Sequence, residues 1–238
     1  MHEGTTGTPS TVVCVHGAGG GGWEWTIWAR VLAGCGFDVL APDLMPAPGG
    51  IAATRLRDYE QQVAGWCRGA GDAPVLIGAS LGGLLALRVA RRVRPAALVL
   101  VNAMPPGGIA GAAPSPPVIP WHSRRSFAST RRAMPDCDDA SRLFAYRRWR
   151  DESGAVLDAA RAGMSYERPH GRVLVLASDL DEEIPLAASR RLAGQLGAEF
   201  EQIGGASHLG PLLGRSAARV AERVGEWLVN VRASGAGI

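Results

Sequence analysis

Serine, histidine and carboxylate stand at three separated places where they could serve one reaction. Ser80 lies in Gly78-Ala79-Ser80-Leu81-Gly82, a G-x-S-x-G spacing. A serine forced onto a sharp turn between strand and helix is strained, and its neighbours two residues away must be small for the turn to close. Its hydroxyl is still a poor nucleophile until a base takes the proton and a third group orients that base. Of the five His, His208 in Gly204-Gly205-Ala206-Ser207-His208-Leu209-Gly210 is the candidate base. Carboxylates crowd into Ser178-Asp179-Leu180-Asp181-Glu182-Glu183-Ile184-Pro185, where Asp179 and Asp181 both suit the acid by position. Serine, then acid, then histidine is the chain order expected with this type of turn. The chemistry implied is acyl transfer through a serine ester.

Such groups need a scaffold that brings strand ends to one rim. Val75, Leu76 and Ile77 have the unbroken apolar character of a strand buried on both faces. From Leu81 the apolar period becomes helical, and Arg88, Arg91 and Arg92 fall near the end, where cations suit the helix dipole. Apolar runs over 11–16, 37–41, 97–101 and 172–177 predict further strands, and 199–203 is read as the last one. The spacing predicts helices from Trp23 to about Ala33, over 54–68 and 186–196, and a long amphipathic one over 212–231. This alternation argues for the α/β class, with a mainly parallel six-stranded sheet and helices on both faces. His208 and the acidic segment then follow strands at their carboxyl ends, where open sheets of this class gather functional groups. The alternation breaks over about 104–170. Residues 104–120 are rich in Pro and Gly, and 126–133 and 140–164 carry helical patterns. That stretch is expected as an insertion into a single domain spanning 1–238.

Composition removes several classes. The 238 residues suffice for one sizeable core. At 47% hydrophobic and 20% charged the chain is globular and not disordered. A net charge of +3 is too small to argue for nucleic acid. Every one of the 25 basic residues is Arg, so no lysine-dependent chemistry is open. Cys14, Cys35, Cys67 and Cys137 are scattered without metal-ligand spacing or a disulfide framework, and Cys14 sits in an apolar strand as a small core residue. No metal and no cofactor are expected. Residues 1–10 lack an apolar signal core and no run approaches a membrane span, so a cytoplasmic protein without a membrane partner is the expectation. One rival class is a dinucleotide-binding, Rossmann-like protein. Gly17-x-Gly19-x-x-Gly22 with Asp43 downstream satisfies that fingerprint, but the match falls within a glycine run and leaves Ser80 and His208 without a role. A phosphate-binding loop is excluded because no Lys follows the glycines.

From residue 11 to the last helix the chain resembles the α/β-hydrolase superfamily. Val15-His16-Gly17-Ala18 with Trp23-Glu24-Trp25 is similar to the oxyanion loop of its methylesterase and hydroxynitrile lyase branch. Gly78-Ala79-Ser80-Leu81-Gly82-Gly83 is similar to that branch's serine turn, although a His commonly stands where this chain has Ala79. The resemblance implies the α/β-hydrolase fold in a short form that lacks two N-terminal antiparallel strands. It implies that 104–170 is a helical lid shaping the acyl pocket. It also implies Asp181 as the acid, since Pro185 follows it at the family's spacing, whereas Asn102 at the alternative acid position is no carboxylate. Ser80, Asp181 and His208 would then be catalytic, with the backbone N–H groups of Ala18 and Leu81 as oxyanion hole. Ser80 argues against the mechanisms of similar dehalogenases and epoxide hydrolases, which need Asp there. Hydroxynitrile lyases of the branch use a lid lysine, and this chain has none.

What stands is a serine hydrolase cleaving a small-molecule ester or thioester. The alternative is an acyltransferase that moves a bulky or aromatic acyl group from a carrier-protein thioester to a second substrate in secondary metabolism. Arg124, Arg125, Arg131, Arg132, Arg142, Arg147, Arg148 and Arg150 crowd the expected lid. They form either a solvated face balanced by Asp136, Asp138, Asp139, Asp151 and Glu152, or a dock for an acidic acyl carrier protein. The Arg-only composition is similar to that of high-GC bacteria, where small hydrolases of this type occur in natural-product clusters. Trp23 and Trp121, which flank the oxyanion loop and the lid, are the candidate substrate contacts.

Overall fold

The computed structural model describes residues 10–109, 111 and 113–234; residues 1–9, expected to lead irregularly into the first strand, lie outside them. In chain order the strands are β1 (Ser10–Val15), β2 (Phe37–Leu40), β3 (Val75–Ala79), β4 (Ala97–Val101), β5 (Val118–Ile119), β6 (Glu152–Ser153), β7 (Arg172–Ser178) and β8 (Glu199–Ile203). Six of them form one sheet in the order β2-β1-β3-β4-β7-β8, with every pairing parallel. The short strands β5 and β6 pair antiparallel apart from it.

Alternation along β1 explains why both faces of the sheet are covered. Val12 and Cys14 face one layer, where the helices α1 (Thr26–Gly34) and α9 (Ala217–Ala233) bury Trp28, Leu32, Val224 and Leu228. Val13 and Val15 face the other, where α2 (Leu56–Gly69) and α3 (Leu81–Val93) bury Tyr59, Val63, Leu84 and Leu85. Burying each such large side chain contributes about 1.5–3 kcal/mol. β3 and β4 are buried at every residue, which is why their sequences show no polar alternation. Burial also pushes the Cys14 thiol far above its usual range, so it stays an inert core group.

The chain runs from β1 outward to β2 and returns to lay β3 on the other side of β1. The loops after β1 and β3 therefore leave toward opposite faces, and a crevice opens at their carboxyl ends.

Between β4 and β7 the insertion carries α4 (Phe127–Ala133), α5 (Asp139–Tyr146) and α6 (Gly154–Ala162). The expected helix over 140–164 is thus two helices. Its break has a tertiary cause: Arg150 N–H donates to Gly19 O at 2.8 Å and the Glu152 side chain accepts from Gly19 N–H at 3.1 Å. These bonds hold 150–152 out of the helix, and Ser153 restarts it as the cap of α6. The expected helix over 212–231 is likewise divided, into α8 (Gly210–Leu213) and α9, by Gly214 in extended conformation. α7 (Leu186–Leu196) follows its expected span.

Candidate active site

Ser80 sits between β3 and α3 with φ 52° and ψ −122°, a backbone conformation that costs of order 1–3 kcal/mol. Tight packing enforces it. A Cβ at position 78 would lie 2.3 Å from Gly82 O, and one at position 82 would lie 2.2 Å from Val15 O. Only glycine fits at either side of the turn. The peptide is pinned further: Ser80 N–H donates to Val101 O and Met104 N–H to Ser80 O, both at 3.0 Å. Leu81 opens α3, so its N–H has no acceptor inside the helix. Its side chain is fully buried in the core and is not part of the cavity wall.

The loop after β1 is fixed by side chains. His16 is buried, with Nδ1 2.8 Å from Gly17 O and Nε2 accepting from Leu44 N–H at 2.8 Å. Burial lowers its pKa to about 4, so it is a neutral ring that ties the loop to the segment after β2. Gly17 N–H donates to Glu24 Oε2 at 3.3 Å, and Gly19 N–H donates to Glu152 Oε2 at 3.1 Å. Ala18 lies between these two and lines the cavity. Glu24 is only 1% exposed. Burial pushes its pKa up to about 8, opposed in part by the Gly17 bond and the His208 charge, so the carboxyl is neutral at pH 7. Asp43, the acid of the dinucleotide fingerprint, is used internally: it accepts from Gly22 N–H at 2.8 Å and pairs with Arg150 at 3.4 Å.

His208 follows β8 and Asp181 follows β7, and the two meet. His208 Nδ1 lies 2.7 Å from Asp181 Oδ2, and the Asp181 side chain is 1% exposed. Its other oxygen accepts from the N–H groups of Glu183 and Ile184 at 2.8 and 2.9 Å, which fixes the carboxylate. Asp179 instead accepts from Gly205 N–H at 2.8 Å. With Nδ1–H donated to Asp181, the lone pair of Nε2 is free to take a proton. Burial lowers the His208 pKa, but the Asp181 hydrogen bond and the charges of Glu183 and Asp181 outweigh it and leave the ring above its ordinary value. Glu183 Oε2 stands 3.7 Å from Nε2.

Two further groups hold the His208 loop. Asn102 Nδ2 donates to His208 O at 2.8 Å and to Ser178 Oγ at 2.9 Å, while its Oδ1 accepts from Ser178 N–H at 2.8 Å. Asp136, in the insertion, accepts from Ser207 N–H at 3.2 Å and from the Ser207 hydroxyl.

Ser80 and His208 line one cavity of about 260 Å3, together with Gly17, Ala18, Trp121 and Trp149. No hydrogen bond joins Ser80 Oγ to Nε2 or to another group among the described residues. Trp121 lies in the wall of this cavity. Trp23 is one layer behind: its ring packs edge-on against Trp149 at 5.4 Å and Phe144 at 5.8 Å. A second groove of about 410 Å3, lined by Glu199, Arg223 and Trp227, holds no serine or histidine.

Sequence reasoning missed Glu24, Glu152, Asp136 and the buried role of Asn102. Only Glu24 left a signal, a carboxylate between two tryptophans in a stretch that must pack. The rest join residues far apart in the chain.

The alpha/beta hydrolase family matches residues 12–223, and the chain belongs to it. Its solved relatives by shape agree. A polyneuridine aldehyde esterase superposes with TM-score 0.69 at 17% identity, over 91% of this chain and 99% of that one. A thermophilic esterase from Thermogutta terrifontis gives 0.66 at 25% identity, over 95% and 92%. Tomato methylketone synthase I gives 0.72 at 12% identity, over 96% and 99%. No curated protein matches the chain in sequence. Among the described residues no helix is long and apolar enough to cross a membrane.

Proposed function

We propose that this chain is a serine hydrolase that cleaves a small ester or thioester through an acyl-serine. The observation that carries the reading is one cavity lined by a strained serine and by a histidine whose far nitrogen is tied to a buried aspartate. As substrate enters, Ser80 Oγ attacks the carbonyl carbon and His208 Nε2 takes the hydroxyl proton. Charge gathers on the carbonyl oxygen, and the N–H groups of Ala18 and Leu81 receive it. The intermediate collapses, the C–O or C–S bond breaks, and the leaving group takes the proton from His208. Water then attacks the acyl-serine with His208 again as base, releasing the carboxylic acid and restoring Ser80. Asp181 holds the imidazole tautomer throughout. The family and the esterases among its structural relatives support this reading. The small cavity and its indole walls favour a compact, flat acyl group.

Mass spectrometry after exposure to a panel of acyl thioesters and methyl esters tests it. The expected result is an acyl adduct on Ser80 that Ser80→Ala lacks, with turnover lost by at least ~10⁴-fold. Turnover retained in that variant would overturn the reading.

A second reading, transfer from an acyl carrier protein, draws on one observation. Arg124, Arg131, Arg132, Arg147 and Arg148 are exposed and none belongs to the ion pairs found among the described residues. The carboxylates that could balance them are engaged elsewhere: Asp136 on Ser207, Asp138 as the cap of α5, Asp151 on His122, Glu152 on Gly19. Reversing the charge of Arg147 and Arg148 should slow only carrier-bound acyl substrates; an unchanged rate would sink this version.

A further inference from the structure

The loop after β1 contains the one N–H expected to meet the oxyanion, and its two neighbours are each tied to a carboxyl group. Gly17 N–H is held by Glu24, and Gly19 N–H by Glu152. The C=O of Gly19 is held as well, by Arg150 N–H. Glu152 divides its contacts. Oε2 takes Gly19, while Oε1 accepts from Tyr59 Oη–H at 2.9 Å and from Ser153 N–H at 2.7 Å. Both carboxyl groups are buried; Glu24 also lines the cavity, but its hydrogen bond goes to the loop, and among the described residues neither carboxyl bonds to Ser80 or His208.

Resting on the serine-hydrolase reading, we infer that Glu24 and Glu152 are positioning residues of the oxyanion hole. Between them they clamp the peptides on either side of the Gly17–Ala18 peptide so that the Ala18 N–H faces the cavity. Catalysis by such donors depends on their being aimed before charge develops, because no reorganisation is then needed. A peptide flanked by glycines has no conformational preference of its own to keep it aimed. The clamp supplies that preference. One half comes from the turn preceding α1 and the other from β6 of the insertion, so the insertion holds the loop as well as covering the cavity. The neutral state of Glu24 favours such a clamp, because a carboxylate there would set a negative charge one hydrogen bond from the loop that must receive an oxyanion.

A trifluoromethyl ketone of the preferred acyl group tests the clamp. It adds to Ser80 Oγ, the hydroxyl proton passes to His208, and the ketone oxygen becomes the oxyanion. The carboxylic acid product, bound without a covalent bond, is the comparison ligand. Glu152→Ala and Glu24→Ala should each weaken the ketone by ~10- to 100-fold, with kcat/KM falling in proportion and product affinity unchanged within about twofold. Glu152→Gln, which keeps an acceptor for Gly19, should recover most of that loss. Tyr59→Phe removes only the donor to the other oxygen, so it should lower Tm and leave ketone affinity alone. Equal loss of ketone and product, or an unchanged ketone, overturns the inference. Should Glu152→Ala fail to fold, Glu24→Ala decides by the same readout. A wild-type protein that forms no ketone adduct on Ser80 would instead remove the serine mechanism itself, and the clamp with it.

Discussion

Ser80 and His208 reach the same cavity by different means. Ser80 is held by backbone: a strained turn, glycines pressed against Val15 O and Gly82 O, and main-chain bonds to β4. His208 is held by side chains: Asp181 on its ring, Asn102 on its carbonyl, Asp136 on the neighbouring Ser207. A main-chain cradle fails by misfolding, since nothing small can be removed from it. A side-chain cradle can be trimmed group by group while the fold remains.

That contrast is open to experiment. Asp181→Asn should lower kcat by ~10⁴-fold through the wrong imidazole tautomer, with Tm little changed, while Asp179→Asn stays within a few-fold. Equal losses would show that the ring does not depend on Asp181 as described. Gly82→Ala pushes a methyl into Val15 O and should destabilise by about 3 kcal/mol or more, read as loss of soluble, folded protein. A folded but inactive Gly82→Ala protein would blur the distinction. Asn102→Ala leaves the buried carbonyl of His208 and the Ser178 groups short of partners, costing about 2 kcal/mol and slowing turnover by ~10-fold or more. Ala also has to adopt the positive φ of 44° that Asn tolerates better.

The smallest effects are in pH. In the proposed role of base His208 must be neutral, and its pKa lies above the ordinary 6.5, so activity should rise with pH through a midpoint above 6.5. Glu24 ionises at about 8, so activity should decline beyond pH 8, and Glu24→Gln should remove that decline. Stability carries the same sign. The Glu24 carboxyl is raised on folding from 4.5 to about 8, so the native state holds the extra proton and stability falls as pH rises between those values. Glu24→Gln should therefore raise Tm at pH 8 and leave it unchanged at pH 4.

These two modes of support also decide what sequence can disclose. The backbone cradle of Ser80 is written in adjacent residues, because close approach demands glycine at fixed offsets. The sheet is legible for a related reason: strands buried on both faces show unbroken apolar runs. Asp179 and Asp181 cannot be separated from local pattern, since both accept hydrogen bonds from the loop around His208 and only the fold assigns the ring to one. Asn102 and Asp136 bind groups more than sixty positions away and leave no local pattern. The helical period of 140–164 is real, but bonds from Gly19 to residues 150 and 152 outcompete it. Trp149 reads as ordinary core in the sequence, and only the turn after α5 brings it to the cavity.

Among the points that stitch the insertion to the rest of the molecule, two grip the loops of the cavity: Asp136 with Ser207, and residues 150–152 with Gly19. Anyone grafting a foreign cap onto this scaffold to change what it accepts must carry both stitches across, or transplant the loops they grip. Between those anchor points the cap can be rewritten; at them, a swap made for selectivity alters the reaction machinery too.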